Sequence, residues 1–159
     1  MGVLVLSKLR RVGMVIAAGL LWSALSDGAN PGAATAADSI VIVANQRYPA
    51  SRLTREEVRE IYLGRKVIEQ YLRIRPIDQS DPVIRMAFLQ TVLELSREAY
   101  IDHWNRLIFQ QGGLPPLLKD SDDDVIKELL KTDGAIGYLW SHDAEGRPDL
   151  KILLMLPVR

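Results

Sequence analysis

The stretch RPIDQSDPVIRMAF, residues 75–88, starts as the end of a β-strand and finishes as the start of an α-helix. Asp81 is a residue type that caps helix N-termini, and Pro82 follows it at the first helical position, where proline is favoured. Ile84 and Phe88 then repeat at a helical spacing of four residues. The stretch therefore predicts a strand, a polar turn and a helix in succession, which is a building unit of α/β folds.

The turn within this unit is the candidate binding site. A helix N-terminus presents free N–H groups to an anion, Ser80 adds a hydroxyl, and Arg85 can lean back toward the same end. With the two polar residues that precede them, they form a predicted ligand-binding set of Asp78, Gln79, Ser80 and Arg85. A purely structural interpretation is also open, because Asp81 as the cap places its own carboxylate on those N–H groups.

Two segments before this unit carry clear secondary-structure signals. SIVIVAN (39–45) has apolar side chains on both faces, which is typical of a strand covered on both sides in a parallel sheet. LTREEVREIYLG (53–64) has a helical pattern in which Thr54 and Glu57 form a capping box and Gly64 ends the helix. These segments predict a first strand followed by a first helix.

The remaining segments extend the same alternation. The patterns predict a second strand, three further helices and two closing strands: 71–77, a helix from Pro82, a helix from Ser96, 121–134, 135–140 and 150–156. No internal repeat divides them into two halves. The resulting order is β-α-β-α-α-α-β-β, an α/β fold of a single lobe.

The first 37 residues have the layout of a secretory signal peptide. Three basic residues precede an apolar run at 12–25, and Ala34-Thr35-Ala36 fits a small-x-small cleavage site. The run is shorter than the roughly 20 apolar residues that span a bilayer, which favours cleavage over an uncleaved membrane anchor. We therefore predict a signal peptide at 1–37, a mature domain at 38–159, export to the periplasm, and no membrane attachment after cleavage.

Composition and motifs argue against several functions. The net charge is zero over the 159 residues and −2 without residues 1–37, so no nucleic-acid partner is expected. The sequence has no cysteine, and His103 and His142 lack the spacing of metal ligands.

The acidic run Asp122, Asp123 and Asp124 is not a good metal site, because a helix would point these side chains in three directions. Their negative charges instead stabilise the positive N-terminal end of the helix dipole. Without a GxSxG, P-loop or GxGxxG motif, we predict a non-enzyme with no catalytic residues, metal or cofactor.

Four segments taken together resemble one protein family. They are IVIVANQRYPASRLTREEVREIYLGRK, RPIDQSDPVIRMAF, HWNRLIFQQGGLPP and TDGAIGYLW, which cover about residues 40–141. Their order and spacing are similar to those of phosphate ABC transporter substrate-binding proteins, in particular to short, stand-alone members. The resemblance implies one lobe of a type-2 periplasmic-binding-protein fold. One departure concerns a Ser-Gly-Thr signature of the full-length proteins, since residues 78–84 read DQSDPVI here.

The resemblance also implies a function and partners. It implies an exported solute-binding-like protein for phosphate or another small oxyanion, working for or alongside an ABC transporter. A single lobe supplies half of a site, because ligand pockets usually lie between domains. The opposite wall would then come from a second copy or another periplasmic protein. The alternative hypothesis is a periplasmic protein-interaction module that keeps the lobe fold without binding a ligand.

Overall fold

A five-stranded sheet with helices on both faces forms the fold in a computed structural model, which describes residues 39–158. The strands are β1 (Ser39–Asn45), β2 (Ile68–Glu69), β3 (Leu72–Arg73), β4 (Arg75–Gln79), β5 (Leu117–Lys119), β6 (Ala135–Trp140) and β7 (Leu150–Pro157). The helices are α1 (Arg55–Tyr62), α2 (Pro82–Phe88), α3 (Arg97–Gln111), α4 (Asp122–Lys131) and α5 (Ser141–Ala144). The predicted α/β class is confirmed, whereas the predicted signal peptide at 1–37 lies outside the described residues.

The sheet is mixed, with the strand order β5-β4-β6-β1-β7. β4 runs parallel to β5 and β6, but β1 runs antiparallel to both of its neighbours, β6 and β7. The prediction of a parallel arrangement around β1 is therefore wrong, although residues 40–44 are buried on both faces as expected. Apolar residues on both faces indicate that helices cover a strand from two sides, and they do not encode the direction of its neighbours.

Two hydrophobic cores lie on opposite faces of the sheet, because successive side chains of a strand point to opposite sides. Ile40 and Ile42 belong to the core formed with α1, α2 and α3. Val41 and Val43 belong to the core formed with α4 and α5. The first of these cores borders the candidate site.

The predicted helix starts agree with the structure where a local cap specifies them. Thr54 and Glu57 make both hydrogen bonds of a capping box at α1. Asp81 caps α2, and Ser96 and Ser121 cap α3 and α4 through their hydroxyl oxygens. Among residues 39–158, no helix is long and apolar enough to cross a membrane.

Several short elements were not predicted from periodicity. The predicted strand at 71–77 is divided between β3, which pairs with β2 in a small hairpin, and β4 of the main sheet. β5 and α5 are short additions, and α2 continues into a π-helical turn at Leu89–Leu93. Elements of two to five residues contain too few repeats for a hydrophobic period to identify them.

Candidate functional site

A cavity of about 190 Å³ lies where β4, α2 and α3 meet. Asp78 comes from β4, Arg85 from α2, and Tyr100 and Trp104 from α3. The rest of the wall is mainly apolar and consists of Ile101, Asn105, Pro115, Pro116 and Leu118. The cavity therefore combines a few polar side chains with apolar walls, which is the usual composition of a small-ligand site.

Asp78 is the polar centre of this cavity. The carboxylate is 5 % exposed, and its Oδ1 accepts from the Tyr138 hydroxyl at 2.6 Å and from the Gln79 backbone N–H at 2.9 Å. Its Oδ2 accepts from a terminal guanidinium nitrogen of Arg85 at 2.8 Å. These bonds orient the buried carboxylate and the half-buried guanidinium, because charge-assisted hydrogen bonds favour a defined geometry.

Three buried donors line the cavity wall: Nε of Arg85, the hydroxyl of Tyr100 and Nε1 of Trp104. The Trp104 N–H interacts with the Tyr100 oxygen, whereas Nε of Arg85 and the hydroxyl proton of Tyr100 have no acceptor among the described residues. Tyr100 is only 3 % exposed and Trp104 only 6 %. Buried polar atoms are nearly always paired in folded proteins, so these two free donors are available to an acceptor that enters the cavity.

The electrostatics keep Tyr100 a donor. Burial raises the pKa of its hydroxyl well above the usual value, and the nearby negative charge of Asp78 raises that pKa further. The neighbouring Trp104 and the positive charge of Arg85 oppose part of this rise. Tyr100 therefore carries its proton at neutral pH, and the charges of Asp78 and Arg85 offset each other at the cavity wall.

Gln79 and Ser80 lie away from the cavity wall formed by Asp78 and Arg85. Gln79 follows Asp78 on the strand, and its side-chain amide donates to the carbonyl oxygen of Tyr138 at 2.6 Å. Ser80 is exposed, and its backbone N–H donates to the carbonyl oxygen of Lys119. Of the four predicted site residues, the structure brings together Asp78 and Arg85 at one cavity.

The N-terminus of α2 is occupied by the protein itself. The Asp81 carboxylate accepts from the backbone N–H groups of Val83 at 2.8 Å and Ile84 at 3.4 Å. The N-terminus of α2 is therefore capped by Asp81, as the purely structural interpretation of this turn stated. Arg85 acts from the flank of the helix, where its guanidinium reaches back to Asp78.

The sequence analysis predicted a helix from Ser96 but did not place Tyr100 and Trp104 at a binding site. Both pack in the core beside α1 and α2 and also line the cavity. A signal was present in their spacing of four residues, which places two hydrogen-bonding aromatic side chains on one helix face. Their convergence with Asp78 depends on how α3 packs against the sheet.

Two other polar residues singled out in the sequence, His103 and Asp124, have structural partners. His103 Nε2 lies 2.9 Å from the carbonyl oxygen of Leu63, beyond the end of α1. Asp124 accepts from the Ser121 hydroxyl and from Lys127 at the start of α4. In the part of the chain that the structure describes, no group of three potential metal ligands is close enough to hold an ion.

Comparisons with known proteins identify the fold. No protein-family model and no curated protein matches the sequence. Among solved structures, an ABC-type phosphate transport receptor from Vibrio cholerae matches with 17 % identity and a TM-score of 0.57. A structure with bound phosphate from Clostridium perfringens, assigned as a phosphate ABC transporter substrate-binding protein, has 16 % identity and a TM-score of 0.58. PstS from Borrelia burgdorferi has 16 % identity and a TM-score of 0.54.

These matches cover part of the larger proteins. Each covers 73 % of this chain but only 45 %, 44 % and 46 % of the three solved chains, so this chain spans less than half of their length. The resemblance found in the sequence is thereby confirmed as a partial, single-lobe match. At this level of identity, what is shared is the fold.

Proposed function

We propose that this chain is an exported, solute-binding-like protein that holds a small oxyanion such as phosphate in the cavity beside Asp78 and Arg85. One observation carries the proposal: Arg85 and Tyr100 each keep a buried donor without an acceptor at the wall of a single cavity, beside the Trp104 N–H. The fold shared with phosphate transport receptors supports a binding role rather than a catalytic one. The periplasmic location and the work alongside an ABC transporter follow from the signal-peptide prediction and from this fold.

The unpaired donors favour a ligand with several acceptor oxygens. Leaving a buried donor unpaired costs about 1–3 kcal/mol, and that cost is removed when a ligand oxygen accepts from it. Tetrahedral oxyanions offer several oxygens at once, and their hydrogen bonds are strengthened by charge. The donors are held in place by the packing of α3 and by the Arg85–Asp78 pair, so little ordering is needed on binding.

Asp78 favours an oxyanion that carries a proton. Its Oδ2 accepts one hydrogen bond, from Arg85, and therefore keeps a free lone pair. Hydrogen phosphate can donate to that lone pair, whereas sulfate has no proton at neutral pH and would meet the carboxylate as a like charge. We expect phosphate to bind about tenfold more tightly than sulfate, the effect of one hydrogen bond to a charged group.

The cavity supplies one wall of a site. In this proposal, a second copy of the chain or another periplasmic protein covers the anion from the opposite side. Without that cover, the anion stays partly hydrated and its charge interactions are screened by water and salt. We therefore expect the isolated chain to bind phosphate weakly, with a dissociation constant on the order of millimolar, or about −4 kcal/mol.

Thermal melting of the full chain with added phosphate tests the proposal. Phosphate at about 100 times its dissociation constant should stabilise the fold by about 2.7 kcal/mol, a rise on the order of 10 °C in melting temperature. Tyr100→Phe should reduce this rise, because it removes one of the three donors. Tyr71→Phe is the matched control, since Tyr71 is exposed and outside the cavity wall. The proposal is wrong if phosphate leaves the melting temperature of the parent unchanged.

The alternative function is an interaction module, and exposed apolar side chains around the cavity favour it. Ile101 and Leu118 line the cavity wall yet keep 43 % and 50 % of their surface exposed. A protein partner or a second copy would bury them. Sedimentation velocity of the phosphate-free chain tests the second copy: self-association that phosphate does not change would favour the module over the binding protein.

A further inference from the structure

A larger groove lies beside the small cavity. Its volume is about 800 Å³, and it runs between α3, the start of β4, and the loop that leads into β5. Trp104, Pro115, Pro116 and Leu118 belong to the walls of both spaces, so the two adjoin along this shared wall. A bare oxyanion that occupies the small cavity would leave the whole groove unfilled.

The groove has an apolar surface that is open to solvent. Large apolar side chains in its wall are about half exposed or more: Val67, Leu114, Leu117 and Leu118. Leu114 is the most exposed of them, at 75 %. Single exposed apolar residues are ordinary, but several along one groove mark a place where apolar surface is covered on binding.

The groove also carries positive charge that is not neutralised locally. Arg73 and Arg75 line its wall, and neither forms an ion pair within residues 39–158. The acidic residue of this wall, Glu128, is engaged by Lys119 and by the Thr132 hydroxyl. The unpaired cations therefore complement a ligand of negative charge, which excludes a cationic apolar ligand on charge grounds.

We infer that the preferred ligand is an organic oxyanion with an apolar substituent, such as the monoanion of an alkyl phosphate, which keeps one P–OH proton to donate to Asp78. Its head group accepts from Arg85 and Tyr100 in the small cavity, and its apolar part passes the Trp104 and Leu118 side chains into the groove. The inference rests on the proposed function, because it places the head group at the same donors. It adds a class of ligand that the small cavity alone does not indicate.

Isothermal titration calorimetry of the full chain at about pH 5.5, below the second phosphate pKa of about 6, with methyl phosphate, butyl phosphate and butanol separates head group from tail. The two esters share one head group and differ by three methylenes. Burial of these methylenes should make butyl phosphate at least about tenfold tighter than methyl phosphate. Butanol, which lacks the anion, should bind far more weakly than butyl phosphate.

Each outcome has one meaning. Equal affinity for the two esters overturns the inference and leaves the proposed function standing. Absence of binding by both esters and by inorganic phosphate overturns the proposed function as well. Butanol binding as tightly as butyl phosphate also overturns the inference, because the groove would then select apolar groups without the anion, as a surface for a protein partner would.

A variant pair assigns the tail to the groove. Leu114→Asp places a carboxylate in the groove wall, and Phe109→Asp adds the same charge at an exposed apolar position outside both spaces. Leu114→Asp should reduce the preference for butyl over methyl phosphate to less than about threefold, whereas Phe109→Asp should keep it near tenfold. An unchanged preference in Leu114→Asp would overturn the inference. Leu117→Ser, which shortens another groove side chain, provides a second test if Leu114→Asp folds poorly.

Discussion

Two buried polar side chains, Asn45 and Asp78, have different surroundings. Asn45 is 4 % exposed, and its amide donates to the carbonyl oxygen of Leu129 at 2.8 Å while its Oδ1 accepts from the Arg47 backbone N–H at 2.9 Å. Asp78 is about equally buried, and both of its carboxylate oxygens accept hydrogen bonds, but Nε of Arg85 and the hydroxyl proton of Tyr100 beside it have no acceptor.

The difference separates a structural polar site from the proposed binding site. At Asn45 the protein makes the hydrogen bonds itself and thereby joins the end of β1 to the end of α4. At Asp78 the protein holds donors in place and leaves them facing a cavity, at a cost to its own stability. Mutations at the first site should therefore affect stability alone, whereas mutations around the second should affect ligand binding.

The largest expected effect is that of Asp78→Ala. The substitution leaves the Arg85 guanidinium and the Tyr138 hydroxyl without their acceptor and removes one of the two acceptors of the Gln79 N–H, which should lower the free energy of unfolding by about 3 kcal/mol. Urea unfolding followed by circular dichroism measures this loss. Asp81→Ala is the control, because an exposed N-cap is worth about 1 kcal/mol. Equal losses in the two variants would contradict the central role of Asp78.

Asn45→Ala should give the next largest effect and should leave binding unchanged. The carbonyl oxygen of Leu129 and the N–H of Arg47 lose their partner, which predicts a loss of about 2 kcal/mol in the free energy of unfolding. Phosphate affinity, measured by calorimetry at a temperature where the variant is folded, should equal that of the parent. A tenfold loss of affinity would remove the distinction between the two sites.

Alkaline pH tests the unpaired tyrosine. Burial raises the pKa of Tyr48, Tyr62, Tyr100 and Tyr138 above the usual value, so above about pH 10 the folded chain keeps protons that the unfolded chain loses. Stability therefore falls as pH rises, by about 1.4 kcal/mol per pH unit for each such tyrosine. Tyr100→Phe should reduce this slope by one such step. At pH 7 it should change the free energy of unfolding by less than about 1 kcal/mol, because the hydroxyl proton has no acceptor and only the Trp104 N–H loses a partner.

Urea unfolding at pH 7, 10 and 11 measures both parts of that prediction. Identical slopes for the parent and Tyr100→Phe would show that the Tyr100 hydroxyl does not hold its proton more tightly in the folded chain. A loss of several kcal/mol in the free energy of unfolding at pH 7 would show that the Tyr100 hydroxyl donates to another group of the protein. Tyr100 would then be a structural polar residue like Asn45 and not part of the proposed binding site.

The smallest effect is expected for Ser80→Ala. Ser80 is exposed and outside the cavity wall, so the free energy of unfolding should change by less than about 0.5 kcal/mol. Phosphate affinity should also stay the same within about twofold. Loss of phosphate binding in this variant would show that the binding site lies at the polar turn before α2, as the sequence predicted.

The parts of the fold that could be predicted are those specified by neighbouring residues. The capping box of Thr54 and Glu57 and the caps at Asp81, Ser96 and Ser121 involve residues two or three positions apart, so the sequence displays them directly. The direction of β1 relative to β6 and β7 depends on pairing across about 100 residues, and no local pattern encodes it. The three-residue strand β5 is likewise specified by its pairing with β4.

The candidate site was also predictable only where its residues are close in sequence. Asp78 and Arg85 are seven residues apart, and the helix geometry that returns Arg85 toward the strand end is local. Gln79 shares the turn, but alternation along β4 sends its side chain to the carbonyl oxygen of Tyr138 instead. Tyr100 and Trp104 join the site only because α3 packs over the same end of β4.

The amino-acid sequence by itself determined the α/β class, the capped helix starts and the direction of Arg85 back toward the strand end that carries Asp78, because these depend on interactions that span a few residues. Only the tertiary structure decided which polar groups keep unpaired donors, since hydrogen-bond satisfaction depends on every neighbour that packing brings within about 3 Å. The physical difference is one of range. A cap is complete within one turn, whereas a cavity is a property of elements that meet from distant parts of the chain.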